Sequence, residues 1–583
     1  MPSSVDPITM LTSRFTAAVE AAFGPDHAGA DPVVRRSQSD RFGDFQMNGA
    51  MALAKQVGRS PRDVAAAVVE QVDLSDVASS VEIAGPGFVN VTLLPSWLGA
   101  AVEAASADPR LGVGLAAAVE TVVVDYSSPN VAKEMHVGHL RSTVIGDALV
   151  RVLGFLGHRV VCQNHLGDWG TQFGMLIEHL VSVGSQVGSI EDLNALYQEA
   201  SARFKGDPDF AERARKRVVE LQGGDEATLS TWRELVAESQ RHFEAAYAQL
   251  GVRLRPGDVR GESFYNDLLD DTVAELEGLG LLRLDDGALC AFPPGFAGRD
   301  GSPLPLIVRK SDGGYGYAAT DLAALRFRVR ELGAQRVAYV VDARQSSHFA
   351  MVFAVAEQAG WLGEGSGGTR AEHVAFGTIL GPDGRPFRTR EGDTVRLAEL
   401  LSEAVERAAA VVAEKSRDLP EEEQAVVARA VGIGGVKYAD LANDRVKDYV
   451  FDWDRMLAKE GNTAPYLQYA HARIKSMLAR AELEGFVAGG PVVVDHPAER
   501  ALALQLLGFG EAVQVTALHL EPHRLCTYLF ELASAFTTFY EGCPVLRAES
   551  DEVRSSRLLL AGLTARVLSV GLDLLGIETP DRM

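Results

Sequence analysis

The chain has 583 residues, 47% of them hydrophobic, and carries 56 basic against 79 acidic side chains for a formal net charge of −23. That length exceeds what one hydrophobic core supports, so about three or four domains are expected, and the apolar content excludes a disordered chain. The acidic balance argues against a protein that coats nucleic acid non-specifically, but leaves room for a large enzyme that binds one folded RNA through local basic surface.

Four cysteines, Cys162, Cys290, Cys526 and Cys543, are scattered without a C-x-x-C or a paired spacing. This argues against a disulfide scaffold and a thiolate zinc site, and fits a reduced, cytoplasmic protein. The opening residues lack a basic region followed by an apolar core, so no signal peptide is expected. No uninterrupted apolar run reaches membrane-spanning length; even residues 558–577 carry Arg566 and Asp573.

Residues 1–110 read as an α+β module. Helical patterns cover residues 8–23 and 60–72, the second with Ser60 as cap and Pro61 in the first turn. Between them lies a polar, turn-rich segment, residues 40–48. From the residues alone, Phe45, Gln46 and Asn48 are an ordinary loop with a buried ring. A strand-like stretch over 81–94 is interrupted by Gly85, Pro86 and Gly87.

The stretch 122–149 organises the middle of the chain. It begins as a valine run, the mark of a buried parallel strand. It then turns through Ser127, Ser128, Pro129 and Asn130 and enters an amphipathic helix over about 138–151, with Leu140, Val144, Ala148 and Arg151 on helical spacing. Lys133, His136 and His139 are bunched at the helix entrance, where unpaired N–H groups attract phosphate. Strand, polar turn and cationic or imidazole groups together read as a nucleotide site. A strand over 158–167 and a helix over 175–183 come next, so the order is β-α-β and predicts a doubly wound parallel sheet with its ligand at the carboxyl ends of the strands.

Residues 185–300 read as a charged, mainly helical insertion. Within it, residues 212–217 offer either an RNA-binding patch or, with acids on both sides, an ion-paired solvated helix face; the second reading is favoured. The sheet pattern resumes after residue 300. Residues 316–321 precede a helix that Thr320 or Asp321 could cap. An apolar strand over 336–343 follows, Arg344 to His348 opens another helix, and residues 373–401 give a strand, a Pro-Asp-Gly turn, a basic segment and a helix. Beyond 395 the strand signals vanish and the chain reads as helical.

His-x-Gly-His alone is a weak motif, because a capping or core histidine explains it equally well. Here it lies inside VVVDYSSPNVAKEMHVGHLRSTVIGDAL. That run is followed in order by NHLGDWGTQFG, YAATDLAA, VVDARQSSHF, FGTILGPDGRPFRTREG, KYADLANDRVKDYVFDWDRML, EGNTAPYLQYAHAR and GLDLLGIETPDRM, and preceded by GDFQMNGAMALAK. Together these closely resemble the class I aminoacyl-tRNA synthetases, and specifically the bacterial-type arginyl-tRNA synthetases. The resemblance spans nearly the whole chain and is weakest over 185–300.

The resemblance implies an α/β fold: a Rossmann-like parallel-sheet catalytic domain over 115–395 with the insertion, an α+β N-terminal domain over 1–110, a helical connecting region over 396–456, and an all-α anticodon-binding bundle over 457–583. It implies an arginine–tRNA ligase that activates L-arginine with ATP, releases pyrophosphate and charges the 3′ end of tRNA(Arg), as a cytoplasmic monomer with no membrane partner. A guanidinium demands carboxylates, which pair with it bidentately. Asp125 and Asp321 match those family positions, with Tyr317 beside them, while Ser128, Asn130 and Gln345 match positions holding the amino acid's backbone groups. Helix capping by Ser128 and Asp321 remains compatible with these roles.

His136, Val137, Gly138 and His139 match the ATP-binding signature, with the histidines stabilising the α-phosphate transition state and Mg²⁺ arriving with ATP; no protein-held zinc or other dedicated metal site is expected. The second class I signature, Lys-Met-Ser-Lys-Ser, is absent, and Phe387, Arg388, Thr389, Arg390, Glu391 and Gly392 occupy its place. Arg388 and Arg390 keep positive charge there, and Lys133 is the expected substitute for the missing lysine, against the alternative of a solvated surface side chain. For tRNA, the resemblance implies elbow contacts from Phe45, Gln46 and Asn48, and anticodon contacts from Tyr469, Arg473, Tyr540 and Met583, with core aromatics as the competing reading of the last group. The family generally needs tRNA for activation, so pyrophosphate exchange is expected only in its presence. A small-molecule nucleotidyltransferase and a non-catalytic tRNA-binding paralogue are the rivals; the long helical C-terminal region opposes the first, and the intact histidines and acidic positions oppose the second.

Overall fold

The computed structural model describes residues 6–184, 193–298, 300–364, 367–388, 395–416 and 419–583. It divides into two compact units: residues 116–457 with 574–577, and residues 1–115 with 458–573 and 578–583.

The larger unit is built on four parallel strands in the spatial order Arg370–His373, Arg336–Tyr339, Thr121–Asp125, Arg159–Gln163. The chain leaves Thr121–Asp125 first to one side and later to the other, so the strand order reverses between Thr121–Asp125 and Arg336–Tyr339. In a doubly wound sheet that reversal opens a crevice beyond the carboxyl ends, where ligands bind. Asp125 and Tyr339 are register partners at its lip. One face of the sheet packs on a core of Leu322, Leu325, Val337, Val352 and Val355, to which Leu269, Val273 and Leu276 of the expected insertion also belong. That part of 185–300 is therefore an integral wall of the unit.

The helix Val137–Phe155 departs from its expected amphipathic form. Arg141, Ser142, Thr143 and Asp147 are as buried as Leu140 and Val144, because the helices Leu397–Lys415 and Glu421–Leu441 close over what would have been its polar face. Each polar group then requires a partner. Arg141 Nε lies 3.1 Å from Asp440 Oδ2 with both side chains fully buried, and Arg151 Nε lies 2.7 Å from Asp147. Among the described residues one short strand survives beyond 395: Tyr449–Val450 pairs in parallel with Ile379–Leu380. The cations at 212–217 follow the ion-pair reading, with Arg213 and Arg217 converging at 2.8 and 3.1 Å on the buried Glu178.

The other unit joins chain segments remote in sequence. Its N-terminal part is a four-stranded antiparallel sheet ordered Val34–Arg36, Phe45–Met47, Phe88–Leu93, Ala78–Ala84. The helix Pro7–Phe23 is capped by Asp6 and Pro61–Gln71 by Ser60. Its C-terminal part is helical: Ala464–Leu483, Pro497–Leu507, Phe509–His519, Pro522–Gly542 and most of Asp551–Leu574. The two parts are tied by Arg500, which pairs with Asp44 and donates to the Leu93 carbonyl at 2.9 Å. The 23-residue stretch Pro497–His519 has the length and apolarity of a membrane span, although Glu499, Arg500 and Glu511 interrupt it, and 61% of its most apolar window is buried inside the protein.

Candidate active site

The site begins where Thr121–Asp125 ends. Ser127, Ser128 and Ala132 have φ of 73°, 46° and 61°, a left-handed conformation that L-residues adopt only where surrounding contacts hold it. Those contacts are specific. The Ser127 N–H donates to Ser142 Oγ at 2.8 Å and the Ser128 N–H to Asn164 Oδ1 at 3.0 Å. Ser127 Oγ lies 2.8 Å from the Tyr247 hydroxyl, and the Ala132 N–H donates to Ser239 Oγ at 2.9 Å. Ser128 caps no helix. Asn130 is exposed and faces Gly167, where a side chain is excluded: a Cβ there would stand 2.3 Å from Asn130 Oδ1.

Asp125 departs from its expected role as an open guanidinium partner. Its Oδ2 accepts from Arg328 Nη2 at 2.7 Å and its Oδ1 from Ser128 Oγ at 3.1 Å, and Arg328 also donates to Gln163 Oε1 at 2.6 Å. A buried carboxylate needs a cation, and the protein's own arginine supplies it. Asp125 thereby fixes Ser128 at the strand end.

The open carboxylates lie elsewhere. Asp321 sits in the first turns of the helix Tyr317–Arg330, whose cap position is Gly316, so Asp321 does not cap it. Its Oδ2 lies 2.6 Å from His348 Nε2. Glu262 was not anticipated from the sequence. Burial, then the charges of Asp168 and Asp321, push its carboxyl up to about 8, opposed by a hydrogen bond from the Trp169 backbone. Asp168 is itself raised by burial, while its carboxylate accepts from the Ser263 N–H at 2.9 Å and Ser263 Oγ at 2.6 Å. Gly261 permits this approach, since a Cβ there would lie 2.2 Å from Asp168 Oδ2. Glu262, buried beside two other acids that raise its proton affinity, makes a corner whose charge a bound cation would relieve. Among the described residues Glu262 has no cationic partner. Tyr317 is 76% exposed at the start of the same helix as Asp321, and Gln345 is exposed at the end of the turn Ala343–Gln345. A lone glutamate in an acid-rich stretch carries no sequence signal of its own; only the fold sets it beside Asp321.

On the other side of the loop, His136 is the N-cap of Val137–Phe155. Its Nδ1 accepts the Gly138 N–H at 3.0 Å, and its own N–H donates to His139 Nδ1 at 3.1 Å. Burial, then the Lys133 charge, lowers the His136 pKa; burial, then His136, lowers that of His139 to about 3. Both rings are therefore neutral at pH 7, and with each Nδ1 accepting, each proton resides on Nε2. The helix start thus offers two Nε2–H donors beside the exposed Gly138 backbone, while the buried Val137 uses its N–H on Val395 O at 3.0 Å. Lys133 is half-buried, with Nζ 4.2 Å from the centre of the Tyr197 ring.

The bond from Val137 to Val395 joins the helix start to the segment that follows the degenerate second signature. Residues 395–397 pair with 135–137 through that bond and through the Leu397 N–H to Met135 O at 2.9 Å. Arg388 is exposed on the arm that returns past Ile379–Leu380, and Phe387 stacks on Phe451 with ring centres 4.7 Å apart. Thr389 and Arg390 lie outside the described residues.

Of the expected tRNA contacts, Phe45 is a correction. It is 4% exposed in the core of its sheet, because alternation along Phe45–Met47 turns its ring inward, so it cannot stack on a base. Gln46 donates to Asn90 Oδ1 at 2.8 Å. Asn48 is partly buried, and its N–H bonds Val33 O at 3.1 Å. In the helical part, Tyr469 is 44% exposed. Arg473, one turn on, lies over the Tyr540 ring at 4.3 Å, and Lys459 lies 5.8 Å from the Tyr469 ring. The tail that ends at Met583 packs beside them, with Gln468 donating to Glu578 O at 2.8 Å and Lys475 lying 3.5 Å from Asp581.

A parallel sheet with a reversed strand order, a histidine-capped helix at its first strand end and an appended helical unit defines a class I aminoacyl-tRNA synthetase. Residues 105–453 match the family described as tRNA synthetases class I (R), catalytic domain; residues 467–583 match the DALR anticodon binding domain, and residues 9–93 the arginyl tRNA synthetase N terminal domain. An arginine–tRNA ligase of Thermobifida fusca is 55% identical over 99% of this chain and 100% of its own. The arginyl-tRNA synthetase structure from Plasmodium falciparum superposes with a TM-score of 0.84 at 28% identity, covering 99% of each chain. That from Thermus thermophilus gives 0.82 at 28% identity, covering 99% of this chain and 100% of its own. The chain belongs to the arginyl-tRNA synthetase family.

Proposed function

We propose that the carboxylate corner and the histidine-capped helix start are the two halves of one arginine-activating site. The chain is an arginine–tRNA ligase. The carboxylate of L-arginine attacks the α-phosphorus of ATP, the bond to the bridging oxygen breaks, and pyrophosphate leaves with arginyl-adenylate formed. A hydroxyl of the tRNA(Arg) 3′-terminal ribose then attacks the arginyl carbonyl, and AMP departs. No protein nucleophile is required, so the protein's contribution is positioning and charge stabilisation.

Glu262 and Asp321 hold the guanidinium, with Tyr317 beside it and Asp168 behind. Ser128, Asn130 and Gln345 hold the ammonium and carboxylate of the amino acid, and Asp125 fixes Ser128. His136 and His139 donate Nε2–H to the phosphate oxygens next to Gly138, while Lys133, Arg388 and Arg390 supply positive charge to the β- and γ-phosphates. Mg²⁺ enters with ATP as part of that substrate, oxygen-bound and partly hydrated. Residues 1–110 meet the tRNA elbow with Gln46 and Asn48. Residues 457–583 read the anticodon loop with Tyr469, Arg473, Tyr540 and Met583, linked to the catalytic part by 396–456. The protein works as a monomer in the cytoplasm, without a membrane partner.

The observation that carries this reading is Glu262, a carboxylate held near pKa 8 beside Asp321 with no cation of the protein's own among the described residues. Only a ligand that is both cationic and rich in N–H donors completes that corner. Pyrophosphate exchange with arginine, lysine or citrulline, with and without tRNA(Arg), tests it. Exchange is expected with arginine alone and only when tRNA(Arg) is present. Exchange without tRNA overturns the tRNA dependence, and exchange with citrulline overturns the carboxylate pocket. No exchange under any condition would establish a non-catalytic tRNA-binding protein.

A further inference from the structure

The helix Glu226–Leu250 lies in the stretch where the sequence resembles the family least, yet it bonds the 127–132 loop, Asn164 and Asp168. Trp232, Ser239 and Tyr247 are spaced by seven and eight residues, which sets them along one side of a helix. Trp232 Nε1–H donates to Asp168 O at 2.7 Å, behind the carboxylate corner. Ser239 Oγ accepts the Ala132 N–H at 2.9 Å while donating to Leu235 O at 2.8 Å. The Tyr247 hydroxyl lies 2.8 Å from Ser127 Oγ and 3.0 Å from Asn164 Nδ2, and Asn164 Oδ1 in turn accepts the Ser128 N–H at 3.0 Å.

These bonds fall on the residues whose backbone is left-handed: Ser127, Ser128 and Ala132. Ser239, Tyr247 and Ser127 are buried, at 0%, 5% and 4% exposure, so water does not replace a lost hydroxyl. A hydroxyl on a buried helix face is costly unless it is used. Both are used on the same loop, at its two ends.

We propose that Glu226–Leu250 is the positioning element of the arginine-binding loop, and that Tyr247 and Ser239 are its positioning residues. The two hydroxyls hold the loop's ends in conformations its sequence disfavours, and so fix Ser128 and Asn130 between them. This rests on the reading that Ser128 and Asn130 bind the amino acid.

Steady-state aminoacylation by Tyr247→Phe, Ser239→Ala, Asn130→Ala and the surface control Arg233→Ala, with thermal melting of each full-length protein, tests the proposal. Tyr247→Phe and Ser239→Ala are expected to raise the arginine KM about tenfold, the scale for losing one or two buried hydrogen bonds that set a binding geometry. ATP KM should stay near the parent value and the melting temperature should fall by a few degrees at most, while Arg233→Ala should match the parent throughout. A normal arginine KM in both hydroxyl variants, with Asn130→Ala impaired, overturns the proposal and leaves the loop's binding role standing. A fall in melting temperature with arginine KM unchanged overturns it in favour of a purely structural helix. A normal arginine KM in Asn130→Ala as well overturns the loop assignment and the proposal with it. If Tyr247→Phe does not fold, Ser239→Ala, which deletes a single oxygen, decides the question.

Discussion

The main-chain N–H of His136 donates to Nδ1 of His139 at 3.1 Å, and the two imidazole rings lie 4.1 Å apart between centres. This reciprocal cap uses histidine where serine or aspartate is usual. It fixes both tautomers and leaves each Nε2–H as a donor at the positive end of the helix Val137–Phe155.

Replacing His139 by Asn keeps an acceptor near the Nδ1 position and removes the outer donor. His139→Asn is expected to lower kcat for adenylate formation by about 10²- to 10³-fold, the scale for one lost oxyanion donor, with the arginine KM little changed. Single-turnover kinetics measures this; a variant with the parent rate removes His139 from the chemistry. Because burial holds the His139 pKa at about 3 in the folded protein against 6.5 for the free side chain, only the unfolded chain takes up that proton between those values. Its contribution to stability is therefore full above about pH 6.5 and is lost as pH falls toward 3.

Glu262 titrates in the opposite direction. With its carboxyl at about 8 in the empty site, it is mostly protonated at pH 7, and a guanidinium favours the ionised form. Arginine binding should therefore release a proton and tighten as pH rises through about 8, then level off. Calorimetry in buffers of different ionisation enthalpy measures the release. Glu262→Gln should abolish both the release and the pH dependence while weakening arginine binding; an unchanged pH profile would exclude Glu262 as the group responsible.

Lys133 places its ammonium 4.2 Å from the Tyr197 ring, and its charge reaches both signature histidines. Lys133→Ala is expected to depress kcat for aminoacylation by more than about tenfold, the loss of one transition-state charge contact. Since Tyr197 steadies the ammonium by a cation–π contact, Tyr197→Leu should give a smaller loss of the same kind. Unchanged kcat in Lys133→Ala would return that side chain to the solvated surface.

The two groups of aromatics in the smaller unit should separate by what they disturb. Phe45→Ala opens a core cavity and is expected to lower stability by about 3 kcal/mol or more, with the tRNA KM of the folded protein unchanged. Arg473→Ala should leave the melting temperature unchanged and raise the tRNA(Arg) KM several-fold, since it removes an exposed cation that lies on Tyr540. A tRNA defect confined to Phe45→Ala would reverse the two assignments.

Much of the architecture was legible because it depends on local chemistry. The valine run before Ser127 marks a buried strand, Ser60 and Pro61 mark a helix start, and imidazoles grouped at a helix entrance point to phosphate. The ordered motifs made the family recognisable from 43 to 583. What stayed hidden depended on residues far apart in the chain. Asp125 looked like a substrate carboxylate because nothing near it in sequence announces Arg328, and the helix Val137–Phe155 looked amphipathic because Asp440 lies some three hundred residues further on. Glu262 had no pattern to mark it, and neither did the hydroxyls of Ser239 and Tyr247.

The sequence by itself determined which groups are available: the strand, the turn, the capped helix, two histidines and a lysine within eighteen residues of one another. Tertiary structure alone decided which carboxylate the protein pairs with a cation of its own. Charge assignment is a competition among partners, settled by burial and distance: Arg328 lies 2.7 Å from Asp125, while Glu262 is left beside Asp168 and Asp321 with no cation among the described residues.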